Sequence, residues 1–258
     1  LGLGFGFNLG NLTNTLRWNH VYGEKLFSNV SFISTKFNYD IQGKLASNNI
    51  VIRSNILDFG LKGDWDYYKN SDTKFKFGAS IISHAFKPNI VSTAGEISDF
   101  LGSSQGEKLY TQEFGLYAHA DQDITTLWKI KYGLRFSGSF LKNKVYTGLE
   151  PRFATRYMLG EHSSIKASYS RMKQYMHRVS SSTVALPTDL WYPVTENIKP
   201  QVSDQVALGY NHVFSDIGTS LTVEGYYKWL DNLIEYREGA NLILNNDFEN
   251  ELLQGSGD

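Results

Sequence analysis

Lys129, Lys131 and Arg135 fall on one parity of WKIKYGLRFSG, Trp128–Gly138. Arg152 and Arg156 fall on one parity of the next such segment, and Lys166 lies on the one after. If these segments are neighbouring strands, the six cations gather on one wall. There they would either steer an anionic solute or pair with acids such as Glu113, Asp121 and Glu161. A second candidate is DLWYP, Asp189–Pro193. Trp191 and Tyr192 offer flat faces for stacking on a ring, and Asp189 offers an acceptor for a hydroxyl or a metal complex. The competing reading is a packed loop base stiffened by Pro187, Pro193 and Pro200. A third candidate is the loop Asn89–Lys108, in which EISDFL suits a short helix after Gly95.

Covalent chemistry finds little support. His20, His84, His119, His162, His177 and His212 are scattered, with no H-x-H or HExxH pair, so side-chain metal ligation is not expected. The chain has no Cys, which excludes disulfides, thiolate metal sites and a cysteine nucleophile. No G-x-S-x-G elbow and no phosphate-cradling glycine loop is present. LGLGFGFNLG is glycine-rich, but it alternates with apolar residues and reads as a strand with close backbone contacts. No cofactor and no enzymatic activity are expected. Basic and acidic residues number 25 and 26, so no bulk charge draws the chain to nucleic acid.

The elements that must position these residues are strands. Alternating segments occur near Leu9–His20, Phe27–Ile41, Ile50–Tyr68, Lys74–Phe86, Leu109–Asp121, Leu127–Leu141, Leu149–Leu159, Ser164–Tyr175, Gln201–Phe214 and Thr219–Asn232. None has a 3.6-residue period, so almost no helix is expected. Most exceed the ~5–6 residues usual in soluble strands and suit the ~9–11 of a tilted membrane strand. The connections VYGEK, KNSD, DQDITT, GEHS and SDIG are short. They rotate with QGKLASNN, Lys87–Lys108, KNKVYTG, His177–Pro200 and the tail after Asn232, which read as longer. In an up-and-down meander this rotation trims one end of the sheet and elaborates the other, as in outer-membrane barrels. The aromatic parity then meets lipid and the polar parity, rich in small residues, meets an aqueous lumen. Trp65, Tyr67, Trp128 and Tyr157 fall close to the short turns and suit an interfacial girdle on that side.

Several stretches resemble the barrel of TonB-dependent outer-membrane receptors. They are LTNTLRWNHVYGEKLFSN (Leu12–Asn29), YGLRFSG, LEPRFATRYML (Leu149–Leu159), SIKASYSRMKQYMHRVS (Ser164–Ser180), DLWYPVTENIKPQVSDQVALGY (Asp189–Tyr210) and VEGYYKWLDNLIEYREG (Val223–Gly239). The resemblance implies an all-β, antiparallel up-and-down transmembrane barrel of about 22 strands with a plug in its lumen. Residues 1–258, with the ten segments read here, would then be a central or later part of a single transmembrane β-barrel domain, with ELLQGSGD approaching a further strand. No stretch resembles the plug or the segment that contacts TonB. The family implies a multi-pass location in the bacterial outer membrane and energised import of a bulky scarce solute, such as a metal chelate, corrinoid, glycan or peptide. Its implied partners are outer-membrane lipid, the plug and the TonB complex, with an extracellular lipoprotein lid as a further candidate. The alternative is a barrel without energy coupling, acting as a passive channel or adhesin.

Overall fold

Alternation of apolar and polar residues becomes strand wherever the sequence carries it. A computed structural model describes residues 2–96, 98–101, 108–179, 190–237 and 248–257. Four long strands come first: β1 (Leu3–Val21), β2 (Leu26–Leu45), β3 (Asn48–Tyr68) and β4 (Thr73–Ala94). A single-turn helix, α1 (Ser98–Leu101), lies within the expected EISDFL segment. Then follow β5 (Leu109–Asp123), β6 (Trp128–Phe140), β7 (Val145–Met158) and β8 (Ser163–Gln174). The short strands β9 (Met176–Val179) and β10 (Leu190–Pro193) precede β11 (Gln201–Phe214), β12 (Thr219–Tyr236) and β13 (Leu252–Gly257).

Eleven strands form one antiparallel sheet, in the order β1-β2-β3-β4-β5-β6-β7-β8-β11-β12-β13, and β9 pairs only with β10. The ten expected strands are all present, and β13 forms at the ELLQGSGD segment against β12. The expected contrast in connection length needs correction at two places. Only Ala46 and Ser47 separate β2 from β3, and Ala46 takes a left-handed φ of 53°. Leu141–Lys144 likewise make a tight turn, closed by the Leu141 amide donating to the Lys144 carbonyl at 2.8 Å. Around the first of these the elaboration is in strand length: β2, β3 and β4 run 20, 21 and 22 residues, about twice what a tilted membrane strand needs, whereas β6 and β7 run 13 and 14.

The extra length has a different side-chain pattern. On β3, Leu57, Phe59, Leu61, Trp65 and Tyr67 share one face, opposite Asp58, Lys62, Asp64 and Asp66. Toward Asn48 the faces exchange character: Ile50, Ile52 and Ile56 stand on the side of Asp58, while Arg53 and Asn55 stand on the side of Leu57. The same exchange separates Val30 and Phe32 from Phe37, Tyr39 and Ile41 on β2, and Leu12, Leu16 and Trp18 from Phe5, Phe7 and Leu9 on β1. Pairing of β1 with β2 and of β2 with β3 runs unbroken through this level, so no bulge turns the strands over. Phe7 faces Ile41, Leu9 faces Tyr39, and Phe37 faces Ile56 in a continuous patch. An apolar outer face is needed only over the height of hydrocarbon, and above it the apolar residues turn inward.

The β9–β10 ribbon shows that the sheet curls. β10 touches β4 and β9 touches β12, yet five strands separate β4 from β12 in the sheet. Laid flat, those strands would hold β4 and β12 about 29 Å apart, beyond the reach of so small a ribbon. Val179, Tyr192, Ile198 and Leu252 form a buried cluster there, with Leu109, Ile234 and Tyr236 packed against it. Thr195 accepts from the Asn197 and Ile198 amides at 3.3 and 3.1 Å, which turns the chain back under the ribbon. His177 on β9 is 2% exposed, and burial pushes its pKa down to about 4 although its ring bonds the Lys199 backbone.

Two expectations follow. Leu134→Arg on the apolar face of β6 costs about 2–4 kcal/mol near a bilayer midplane and impairs assembly, read as loss of the folded band on unheated gels. Thr222→Arg, exposed on the polar face of β12, assembles normally; equal behaviour of the two overturns the face assignment. The second concerns acid. Since the folded pKa of His177 lies below its unfolded value of 6.5, the ribbon is unaffected above about pH 6.5 and loses stability as pH falls toward about 4. Amide protection of Met176–Val179, corrected for intrinsic exchange, drops across that window, and the drop is absent in His177→Gln.

Candidate functional site

The polar face of the sheet is a wall of charge, and pairing register decides which charges meet. Lys129, Lys131, Arg135, Arg152, Arg156 and Lys166 all lie on it, on the three adjacent strands β6, β7 and β8. Wall acids neutralise four of them. Lys129 pairs with Asp123 and Lys131 with Asp121, each at 2.5 Å. Arg135 and Arg152 share Glu150, at 3.7 and 3.4 Å. Glu150 is 3% exposed and also accepts a short hydrogen bond from the Ser137 hydroxyl. Tyr175 caps that group, its hydroxyl 2.8 Å from Ser137. A buried carboxylate is costly unless compensated, and two guanidiniums with a hydroxyl supply the compensation. Among the described residues, Arg156 and Lys166 have no ion pair and Glu161 makes none.

Further groups on the wall escape sequence reasoning because only register reveals them. His84 lies 4% exposed on β4 between two carboxylates: its Nδ1 is 2.7 Å from Asp58 and its Nε2 is 3.6 Å from Glu113. Tyr117 on β5 reaches across β4 to donate a short hydrogen bond to Asp64 on β3. Gly78 stands between them in register, and a side chain there would collide with the Tyr117 ring and the Gly63 carbonyl. Lys62 completes this group at 3.1 Å from Asp64. Asp66 takes Lys74 at 2.9 Å and Lys76 at 4.0 Å. The signal lies in the sequence as acids and bases of one parity on successive strands, but it is legible only once the strands are aligned. Among the described residues no group of three His, Cys, Asp or Glu side chains is arranged to hold a metal ion.

The DLWYP candidates separate. Tyr192 is buried at 6% in the ribbon core, so its ring offers no free face. Trp191 points the other way, paired in register with Arg178, and is 37% exposed. Asp189 lies outside the described residues. Lys144 and Tyr146, from the turn between β6 and β7 and the start of β7, donate to the Glu196 and Thr195 carbonyls at 2.6 and 2.9 Å, fixing the segment after β10 to the sheet.

The aromatic residues near the short turns stand on the apolar face. Trp128 opens β6 opposite Tyr157, and its indole donates to Thr155 at 2.8 Å. Trp65 stacks on Phe77 and Tyr67 on Phe75, at 5.9 and 6.4 Å between ring centroids. Chemically, the whole arrangement offers electrostatic and aromatic recognition.

Residues 1–251 match the family model for the TonB dependent receptor-like beta-barrel. No curated protein matches the chain. Among solved structures, the copper transporter OprC superposes with a TM-score of 0.69 at 11% identity, over 98% of this chain and 42% of OprC. The ferric yersiniabactin uptake receptor FyuA from Yersinia pestis gives 0.59 at 12% identity, over 86% and 36%. BauA, the ferric preacinetobactin receptor of Acinetobacter baumannii, gives 0.59 at 10% identity, over 98% and 41%. Likeness at such identities is one of fold, and the chain spans less than half the length of each of these proteins. With an apolar face suited to lipid and a charge-paired face suited to water, the chain belongs to the TonB-dependent receptor-like β-barrel family, whose barrels stand in the bacterial outer membrane.

Proposed function

We propose that this chain is barrel wall from a receptor that imports a bulky, scarce solute across the outer membrane, the solute binding at the elaborated end and passing inward by energised plug movement. The observation that carries this reading is the exchange of faces on β1, β2 and β3. Above the lipid-facing belt, Phe5, Phe7, Leu9, Phe37 and Ile41 turn to the same side as the charged wall. An apolar, aromatic surface held beyond the bilayer on the lumen side suits a solute with flat or greasy bulk. Two of the structural neighbours are named for ferric chelates and one for copper, which favours a metal chelate over a corrinoid, glycan or peptide. Trp65, Tyr67, Trp128 and Tyr157 anchor the opposite, periplasmic end at the headgroup level. On this reading its partners are the plug and the TonB complex, with an extracellular lipoprotein as a further candidate. No catalysis is proposed.

The test is uptake by cells expressing the full-length protein, with iron- and copper-chelate tracers. Uptake saturates and stops when the proton gradient is collapsed; flux that is linear in concentration and indifferent to the gradient points instead to a passive channel. Trp191, half-exposed on its ribbon, is the side chain best placed to touch solute without disturbing the core. Trp191→Ala raises the half-saturating concentration about three- to tenfold, the value of one aromatic contact, while surface expression is unchanged.

A further inference from the structure

One row of residues crosses the polar face near its short-turn end, each directly opposite the next. It runs Asp123, Lys129, Arg156, Lys166, Gly209, Glu224 over six adjacent strands from β5 to β12. Three cations therefore stand side by side, with strands about 4.8 Å apart. Like charges directly opposite one another destabilise a strand pair. Lys129 escapes this because Asp123 contacts it at 2.5 Å, and Lys131, one step inward on the same strand, is held by Asp121 at 2.5 Å. Arg156 and Lys166 have no carboxylate within 4.0 Å among the described residues. Arg156 Nε is buried and makes no hydrogen bond among them.

The compensating charge has one direction of approach. On the apolar face the same strands carry Thr155, Tyr157, Ile165 and Ala167, which offer no anion. On the polar face the residues inward of the row are small: Ala154, Ser168 and Ala207. They leave a cleft of about 500 Å³ bordered by Lys129, Lys131, Arg156 and Lys166. Glu224 leans over Gly209, its Cγ 2.9 Å from where a Cβ would stand, and closes the far side. With Lys129 and Lys131 paired to Asp123 and Asp121, Arg156 and Lys166 against the Glu224 carboxylate leave a net positive recess, and low-dielectric walls focus its field.

We infer that this cleft is an anion-binding site at the periplasmic end of the lumen, holding an oxyanion group, carboxylate or phosphate, against Arg156 and Lys166. The group comes either from a free solute or from an acidic side chain elsewhere in the full polypeptide. Anion capture here needs only an aqueous lumen, and it stands or falls separately from solute import.

The sign of a neutralising mutation decides the matter. If an anion sits on the row, Lys166→Gln removes an attraction and lowers the unfolding temperature. If the row is bare, the same change relieves repulsion and raises that temperature or leaves it alone. The measurement is the loss of the folded band of the full-length protein on SDS gels as temperature rises, for wild type, Arg156→Gln, Lys166→Gln and Lys166→Arg. Each is run in pyrophosphate and in chloride of equal ionic strength. A free anion appears as pyrophosphate stabilising wild type and Lys166→Arg but neither Gln variant. A resident carboxylate appears as both Gln variants unfolding earlier in either salt, with wild type indifferent to pyrophosphate. Gln variants as stable as wild type or more stable, together with a pyrophosphate response that is absent or equal in all four proteins, would overturn the assignment.

Discussion

Hydrocarbon offers no hydrogen bonds, so every backbone amide and carbonyl that crosses it must be paired within the protein. The long antiparallel ladders meet that demand for the strands inside the sheet, while β1 and the outer side of β12 before Leu230 carry no second ladder among the described residues, and almost everything else here depends on this pairing. Ladder pairing fixes register, and register fixes which side chains become neighbours across strands. Asp121 meets Lys131, and Asp64, Gly78 and Tyr117 fall in line, because the backbone leaves them no other partners. Charge pairing on the wall follows from the ladder and does not create it.

Small residues on the polar face extend the reach of this pairing. Where a glycine occupies the middle strand, a long side chain lies across it and bonds one strand further on. Tyr117 does so over Gly78, whereas Glu224 leans over Gly209 without pairing with Lys166 beyond it. A wall built like this couples three strands at a time through side chains, in addition to the pairwise coupling of the backbone. It also spreads positive and negative charge over a broad area while keeping most ions partnered, Arg156 and Lys166 excepted, which limits the desolvation cost of lining a narrow space.

Much of this architecture is legible in the sequence because a strand has period two and a bilayer sharpens the contrast between its faces. Trp128, Ile130, Tyr132, Leu134 and Phe136 declare their side of β6 without help. The same rule leaves the exchange of faces open, since β1 alternates equally well on both sides of it and only the unbroken pairing with β2 shows that no bulge returns Leu9 and Leu12 to one side. Short strands escape as well. β9 and β10 have four residues each, too few for a pattern, and tertiary burial of Val179 and Tyr192 holds them together. Ala46 gave no turn signal, because a left-handed φ there would have suggested glycine or asparagine. The wall cations were legible as a set, but their division into partnered and unpartnered members was not, since it rests on which acid each faces.

The hairpin of β2 and β3 illustrates what strand pairing does at an exposed extremity. Its backbone stays hydrogen-bonded to within two residues of the tip, well beyond the level at which the faces exchange. A protease must draw out an extended, unpaired segment to cut it, and this projection supplies almost none. This extremity of the wall is thereby shielded from digestion by the same ladder that lets the strands cross the bilayer.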